Sequence, residues 1–190
     1  MWSEVKMYNY LHENLKEARF RHSLSVSETA VALAIKYGVN IKSARIAGLV
    51  HDCSKNMKDE QLIKMATNHG LQLDEVQFRT PTLLHGIVGG IIAREVMGIY
   101  NDDIINAISF HTTGRKNMSI LEKIIFISDY TEPLRKFDGV EELRCLSMRD
   151  LDAAVLQSLD NTIKYIVNQK KILHNDTVDA RNYLLCKNSR

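Results

Sequence analysis

Between Leu83 and Ile92 the apolar residues come in pairs four positions apart: Leu83/Leu84, Ile87/Val88 and Ile91/Ile92. A strand turns successive side chains to opposite faces, whereas a period near 3.6 stacks such pairs into one stripe of a helix. This segment is therefore a helix, opened near Pro81, where a missing N–H does least harm, and closed by Gly98. The same logic extends along the chain. Val5, Tyr8 and Leu11 mark a first helix over 3–15. Phe20, Leu24, Val26, Val31, Leu33 and Ile35 mark a second, ended by Gly38. Asn40 offers a cap to a helix running through Ile41, Ala44, Ile46, Ala47, Leu49 and Val50. Further helices fall at 60–68, 102–110, and from the Ser119-Ile120-Leu121-Glu122 capping box to Asp129, before Pro133. A polar segment passes Gly139. Ser147-Met148-Arg149-Asp150 reads as a second capping box for a long helix toward Lys171, and Asp176 or Thr177 as the cap of a last helix to Leu185. No strand pattern persists beyond a few residues, so the predicted fold class is all-α.

With 190 residues and 45% hydrophobic content the chain can bury one sizeable core, so a single domain over 1–190 is expected. Two prolines and nine glycines leave little material for a β-sandwich or a long linker. Lysine plus arginine exceed aspartate plus glutamate by only 25 to 23, which gives no basic field for nucleic acid. No apolar run approaches the roughly 18 residues of a membrane span, and the N-terminus lacks a signal-peptide pattern, so a cytoplasmic protein is expected. Cys53, Cys145 and Cys186 are odd in number and widely spaced, and read as reduced thiols. Trp2, Tyr8 and Tyr10 on the first helix offer a surface for a homodimer.

The chemistry sits at the ends of the apolar stripes. His51 and Asp52 continue the buried face of Ala47, Gly48 and Val50, and an imidazole beside a carboxylate in such a place needs partners. Asp129 lies four residues after Ile125 and eight after Leu121, where an unpaired carboxylate is strongly disfavoured. His22, His85 and His111 also fall at helix faces or ends, with Gly89 one turn from His85. Singly, each histidine reads as an ordinary hydrogen-bonded core or surface residue. Together, four histidines and two aspartates form an N/O donor set that suits iron, manganese, zinc or magnesium, and six donors fit two ions sharing a carboxylate better than one tetrahedral ion.

The ordered set His22, His51-Asp52, His85, His111 and Asp129 resembles the HD superfamily of metal-dependent phosphohydrolases, in its two-metal form. Arg21-His22-Ser23, His51-Asp52-Cys53-Ser54-Lys55, Thr82-Leu83-Leu84-His85-Gly86, His111-Thr112-Thr113-Gly114 and Ile127-Ser128-Asp129-Tyr130-Thr131-Glu132-Pro133 are together similar to the YqeK family of symmetrical bis(5'-nucleosyl)-tetraphosphatases. The resemblance spans about the whole chain, His174-Asn175-Asp176-Thr177 included. It departs at Cys53-Ser54, where the family more often has an aromatic residue and alanine.

That resemblance implies an HD-domain helical bundle with a motif-bearing core at about 18–135, completed by the C-terminal helices. It implies two divalent ions, iron first and manganese or zinc as alternatives. One would be held by His22, His51, Asp52 and Asp129, the other by Asp52, His85 and His111. Water made acidic by the ions would attack an inner phosphorus of diadenosine tetraphosphate and leave two ADP molecules. Asp52, Lys55 and Asp129 carry the expected catalytic roles. Lys55, Thr112, Arg135, His174, Thr177 and Arg181 are the expected substrate contacts, although Lys55 and Arg135 read almost equally as ordinary solvated charges. Neither a membrane nor a nucleic acid is an expected partner. The alternatives are another HD-type nucleotidase acting on (p)ppGpp or a deoxynucleoside monophosphate, and a non-catalytic nucleotide-sensing module, which a complete ligand set disfavours.

Overall fold

The computed structural model describes residues 1–188. Helix α1 spans Glu4–Asn14, α2 Glu17–Tyr37 and α3 Ile41–Val50. Next come α4 at Asp59–Asn68, the short α5 at Glu75–Arg79, a 3-10 turn at Pro81–Leu84 and α6 at His85–Glu95. The remaining helices are α7 at Asp102–Ser109, α8 at Ile120–Thr131, α9 at Val140–Ser147, α10 at Leu151–Asn168 and α11 at Asn175–Asn188. No strand occurs among the described residues, and none of their helices is long and apolar enough to cross a membrane.

Local signals set most boundaries. Asn40 accepts a hydrogen bond from the Ser43 N–H at 2.9 Å, capping α3. Ser119 and Glu122 close a reciprocal box at the start of α8, with the Ser119 N–H donating to Glu122 Oε2 at 2.7 Å. Gly38 ends α2 in the left-handed conformation at φ 68, where a Cβ is disfavoured. The Leu83–Ile92 pairing behaves as expected: Leu84, Val88 and Ile92 are buried, while Leu83, Ile87 and Ile91 are half-buried at the flank of the stripe.

Several expectations need correction. The buried residues of α1 are Met7 and Leu11, while Val5 and Tyr8 are 70% and 42% exposed, so its inward face is rotated from the one expected. Trp2 stacks edge-on against Tyr10 and donates its backbone N–H to Met97, which turns part of the expected dimer surface inward. The cap of α10 is Asp150, accepting from the Ala153 N–H at 3.0 Å. Ser147 instead ends α9 and donates to the Arg144 carbonyl. Helices α5 and α9 fall in stretches without an expected element, and α11 begins at Asn175, ahead of both expected caps.

The core is one cluster. Helix α2 packs most extensively on α3 and also on α8, while α7 bridges α3, α6 and α8. Gly48 makes the α2–α3 contact possible: a Cβ there would lie 2.8 Å from the Ser27 Cα. Gly86 does the same between α6 and α7, where a Cβ would meet the Ser109 carbonyl oxygen at 2.6 Å. Close approach of these backbones draws the helix ends bearing histidines toward one point.

Candidate metal centre

His51 is the C-terminal cap of α3, and the chain winds on through tight turns that carry Asp52, Cys53, Ser54 and Lys55. Ser54 fastens this turn to the start of α6 by donating to the His85 carbonyl at 2.6 Å. Cys53 does so less strongly, its thiol 3.7 Å from the Gly89 carbonyl, and burial pushes that thiol up to about 12. The hydroxyl of Ser54 is thus a fastening that alanine lacks. His22 comes from the body of α2, His111 from just beyond α7, and Asp129 from the last turn of α8.

These six side chains converge. Asp52 Oδ1 lies 3.2 Å from His85 Nε2 and 3.5 Å from His111 Nε2, while its Oδ2 lies 3.5 Å from His51 Nε2 and 3.9 Å from His22 Nε2. Each oxygen of one buried carboxylate therefore faces its own pair of imidazoles. Asp129 Oδ1 is 2.9 Å from His22 Nε2 and 4.0 Å from His51 Nε2. Potential ligand atoms of His22, His51 and Asp129 lie within 4.8 Å of one another, as do those of His51, Asp52 and His111.

The donor chemistry fits cations. The outer nitrogen of His51 meets the Gly48 carbonyl at 2.7 Å, that of His85 the Thr82 carbonyl at 2.5 Å and that of His111 the Ile108 carbonyl at 2.7 Å. A carbonyl only accepts, so each Nδ1 carries the proton and each Nε2 turns a lone pair inward. The same holds for His22, whose Nδ1 meets the Glu132 carboxylate at 3.0 Å. Four lone pairs and two carboxylates then point into one buried space, with His85 and His111 facing across 3.1 Å. His22 Nε2, His51 Nε2 and Asp52 Oδ1 are buried without a hydrogen-bond partner. Acceptors crowded in this way need positive charge between them.

Burial by itself raises the Asp52 carboxyl, yet the surrounding His51, His111 and His85 hold it well below the usual range. Asp129 is likewise raised by burial but drawn far down by His22, His51 and Arg135. Burial, aided by His111 and Lys55, lowers His85, which keeps its imidazole neutral as a ligand must be.

Cations line the mouth. A pocket of about 380 Å³ opens beside the cluster, walled by Lys16, Arg19, Lys55 and Arg135, with His22 and Glu132 at its inner side. Lys55 Nζ lies 3.0 Å from His85 Nε2, and burial lowers its ammonium pKa. Arg135 donates to Asp129 Oδ1 at 2.6 Å and to its backbone oxygen at 2.8 Å. The Thr112 hydroxyl lies 3.0 Å from His85 Nε2 and 3.2 Å from His111 Nε2. The expected contacts from the C-terminal part have other partners. His174 sits 3.3 Å from Asp74 at the start of α5, Thr177 is buried with its N–H on the His174 carbonyl, and Arg181 is bonded to Asp160 of α10. His12 and His69, the remaining two of the seven histidines, are exposed at the surface.

Two residues of the site went unread in the sequence. Arg19 Nη1 donates to Asp52 Oδ2 at 2.7 Å, and it stands one helical turn before His22. Glu132 bonds His22 and lies three residues after Asp129. Arg19 stands two residues before Arg21-His22-Ser23 and Glu132 inside the segment Ile127–Pro133, and that proximity was the available signal.

An all-α fold that gathers four histidines and two aspartates around a shared carboxylate is the arrangement of the HD domain, whose family profile matches residues 19–134. Across 95% of its length the chain is 39% identical to the symmetrical bis(5'-nucleosyl)-tetraphosphatase of Halalkalibacterium halodurans, covering 96% of that protein. It is 34% identical to the Bacillus subtilis protein of the same name, covering 91% of this chain and 92% of that one. The chain belongs to the HD-domain family and, within it, to this group of relatives. A crystal structure of a Clostridium acetobutylicum protein, described as a predicted HD superfamily hydrolase involved in NAD metabolism, superposes with a TM-score of 0.97 at 51% identity. The match covers 98% of this chain and 99% of that one.

Proposed function

We propose that this protein hydrolyses diadenosine tetraphosphate symmetrically, releasing two molecules of ADP, with two divalent ions held by His22, His51, Asp52, His85, His111 and Asp129. The carrying observation is the division of Asp52, one oxygen toward His85 and His111 and the other toward His51 and His22. A carboxylate so divided could serve two ions at once. Iron is the metal we assign, with manganese or zinc able to use the same donors. The names of the curated relatives support the substrate.

When bound, the ions supply Lewis acidity at a phosphoryl group and make water acidic enough to react near neutral pH. The protein's own part is positioning and charge. Lys55 and Arg135 present cations to phosphate oxygens from the pocket wall, and Arg19 adds a third. Thr112 places a hydroxyl beside His85 and His111, where a substrate oxygen can accept from it. We assign His174, just ahead of α11, and Thr177, in its first turn, to a segment bordering the start of α5, on the strength of the His174–Asp74 contact. Arg181 is engaged by Asp160, so its role toward substrate rests on resemblance alone. Three free thiols suit a reducing cytoplasm, where we place the protein.

The test is direct. Purified protein is assayed for bound metal and for products from diadenosine tetraphosphate with iron or manganese present. Two ADP per substrate support the reading. ATP plus AMP, or no turnover, overturns it. Cleavage of (p)ppGpp or a deoxynucleoside monophosphate instead identifies another nucleotidase, and binding without turnover identifies a sensing module.

A further inference from the structure

The four imidazoles of the centre are not supported alike. His51, His85 and His111 each satisfy Nδ1 with a backbone carbonyl three residues upstream, from Gly48, Thr82 and Ile108. All three sit at or just beyond the end of a helix or 3-10 turn, where the ring reaches back to a carbonyl of its own last turn; that of Thr82 also accepts the His85 N–H. His22 lies inside α2, a 21-residue helix whose interior carbonyls are already engaged. Its Nδ1 turns instead to Glu132, 110 positions away and 1% exposed. Glu132 is itself fixed: the Leu134 N–H donates to its Oε2 at 2.6 Å, the Ser25 side chain also hydrogen-bonds the carboxylate, and Arg135 Nε stands 3.9 Å from Oε1, the oxygen that meets His22.

We infer that Glu132 is a positioning residue that locks His22 with its proton on Nδ1 and its Nε2 lone pair toward Asp129, making the His22–His51–Asp129 side of the centre depend on a charged partner. The inference rests on the assignment of His22 as a metal ligand made above. A carboxylate behind an imidazole orients the ring and strengthens it as a donor, so the two halves of the centre differ in origin. One leans on Glu132, while the His85–His111 half leans only on its own backbone.

Glutamine at 132 poses a choice that glutamate does not. Its single carbonyl can accept from the Leu134 N–H or from His22 Nδ1–H, but not from both. If the NH₂ faces His22, the imidazole must move its proton to Nε2 and can no longer ligate. If it faces Leu134, two donors meet in a buried place.

The experiment compares wild type, Glu132→Gln and Glu132→Asp by two readouts. Long-range ¹H–¹⁵N spectra of metal-free protein at alkaline pH report the His22 tautomer. Calorimetric titration with Zn²⁺ reports each binding step. We expect Nδ1–H in wild type and in Glu132→Asp, and loss of that tautomer in Glu132→Gln. In Glu132→Gln one Zn²⁺ step should weaken about 10- to 100-fold while the other is unchanged. Wild-type His22 carrying its proton on Nε2 overturns the inference even if Glu132→Gln fails to fold. So does a Glu132→Gln protein that keeps Nδ1–H and binds both ions at wild-type affinity. Failure of the diadenosine tetraphosphate assay with the tautomer result intact overturns the substrate reading and leaves Glu132 in its role.

Discussion

Arg19 and Asp52 meet at 2.7 Å, guanidinium Nη1 to carboxylate Oδ2, although 33 residues separate them in the chain. The contact sets a cation from α2 against the carboxylate that faces both histidine pairs, at the edge of the pocket that also holds Lys55 and Arg135. With a divalent ion held by the carboxylate, the guanidinium would be free to face phosphate. Arg19→Ala in metal-loaded protein should lower kcat/KM for diadenosine tetraphosphate about 10- to 100-fold, the loss expected from a charged hydrogen bond of about 1.5–3 kcal/mol. Steady-state kinetics check this, and unchanged kcat/KM removes Arg19 from the site.

Asp52 and His85 should differ in what their loss does to metal content. Asp52→Ala removes the carboxylate between the two imidazole pairs and should empty both positions, whereas His85→Ala should spare the ion near His22, His51 and Asp129. Metal analysis of the purified variants, with circular dichroism to confirm helicity, distinguishes two ions lost from one. Equal stoichiometry in both variants would contradict a shared carboxylate.

Gly86 and Gly90 lie on the same face of α6 but should respond unequally to alanine. At Gly86 the added carbon would meet the Ser109 backbone oxygen at 2.6 Å, and backbone cannot step aside without separating α6 from α7. At Gly90 it would meet the Ser109 hydroxyl at 2.3 Å, the free end of a side chain that can rotate. Gly86→Ala should cost about 1–3 kcal/mol and weaken metal binding, because it moves His85 away from His111. Gly90→Ala should cost clearly less, as urea unfolding will show.

Asp152 ties two helices across the back of the bundle, accepting from Lys123 at 2.6 Å and from Lys187 at 2.9 Å. Burial raises its carboxyl, but the two ammonium groups outweigh this and hold it below the usual range. The folded value therefore lies below the unfolded one, so the pairing stabilises the protein fully at neutral pH. It is lost as the pH falls from the ordinary carboxylate range through the folded value. Asp152→Asn should lower stability at pH 7, and its difference from wild type should shrink on acidification. Unfolding curves at pH 7, 5 and 3 test this, and a difference that grows toward pH 3 would reverse the sign.

The helical architecture and the six proposed ligand positions are local or ordered properties, and so they are written openly in the chain. A four-residue apolar period, an Asn40 or Ser119 cap and a Gly38 stop act through neighbours a turn away, and the structure realises each of them. Where local signals compete, the reading slips. Ser147 and Asp150 both resemble caps and only packing selects Asp150. Met7 and Leu11, not Val5 and Tyr8, turn inward because α1 docks on α2 and α3.

Partnership is another matter. That Asp52 divides its oxygens between two histidine pairs, that Arg19 reaches it, and that Glu132 backs His22 are, the adjacent His51 aside, relations between residues 30 to 110 positions apart. Sequence alone determined which side chains had chemistry to offer and which helices would carry them, because propensity and capping act over a few residues. Only the tertiary structure decided which oxygen faces which imidazole, because the close approach of backbones at Gly48 and Gly86 brings those helix ends within ångströms of each other.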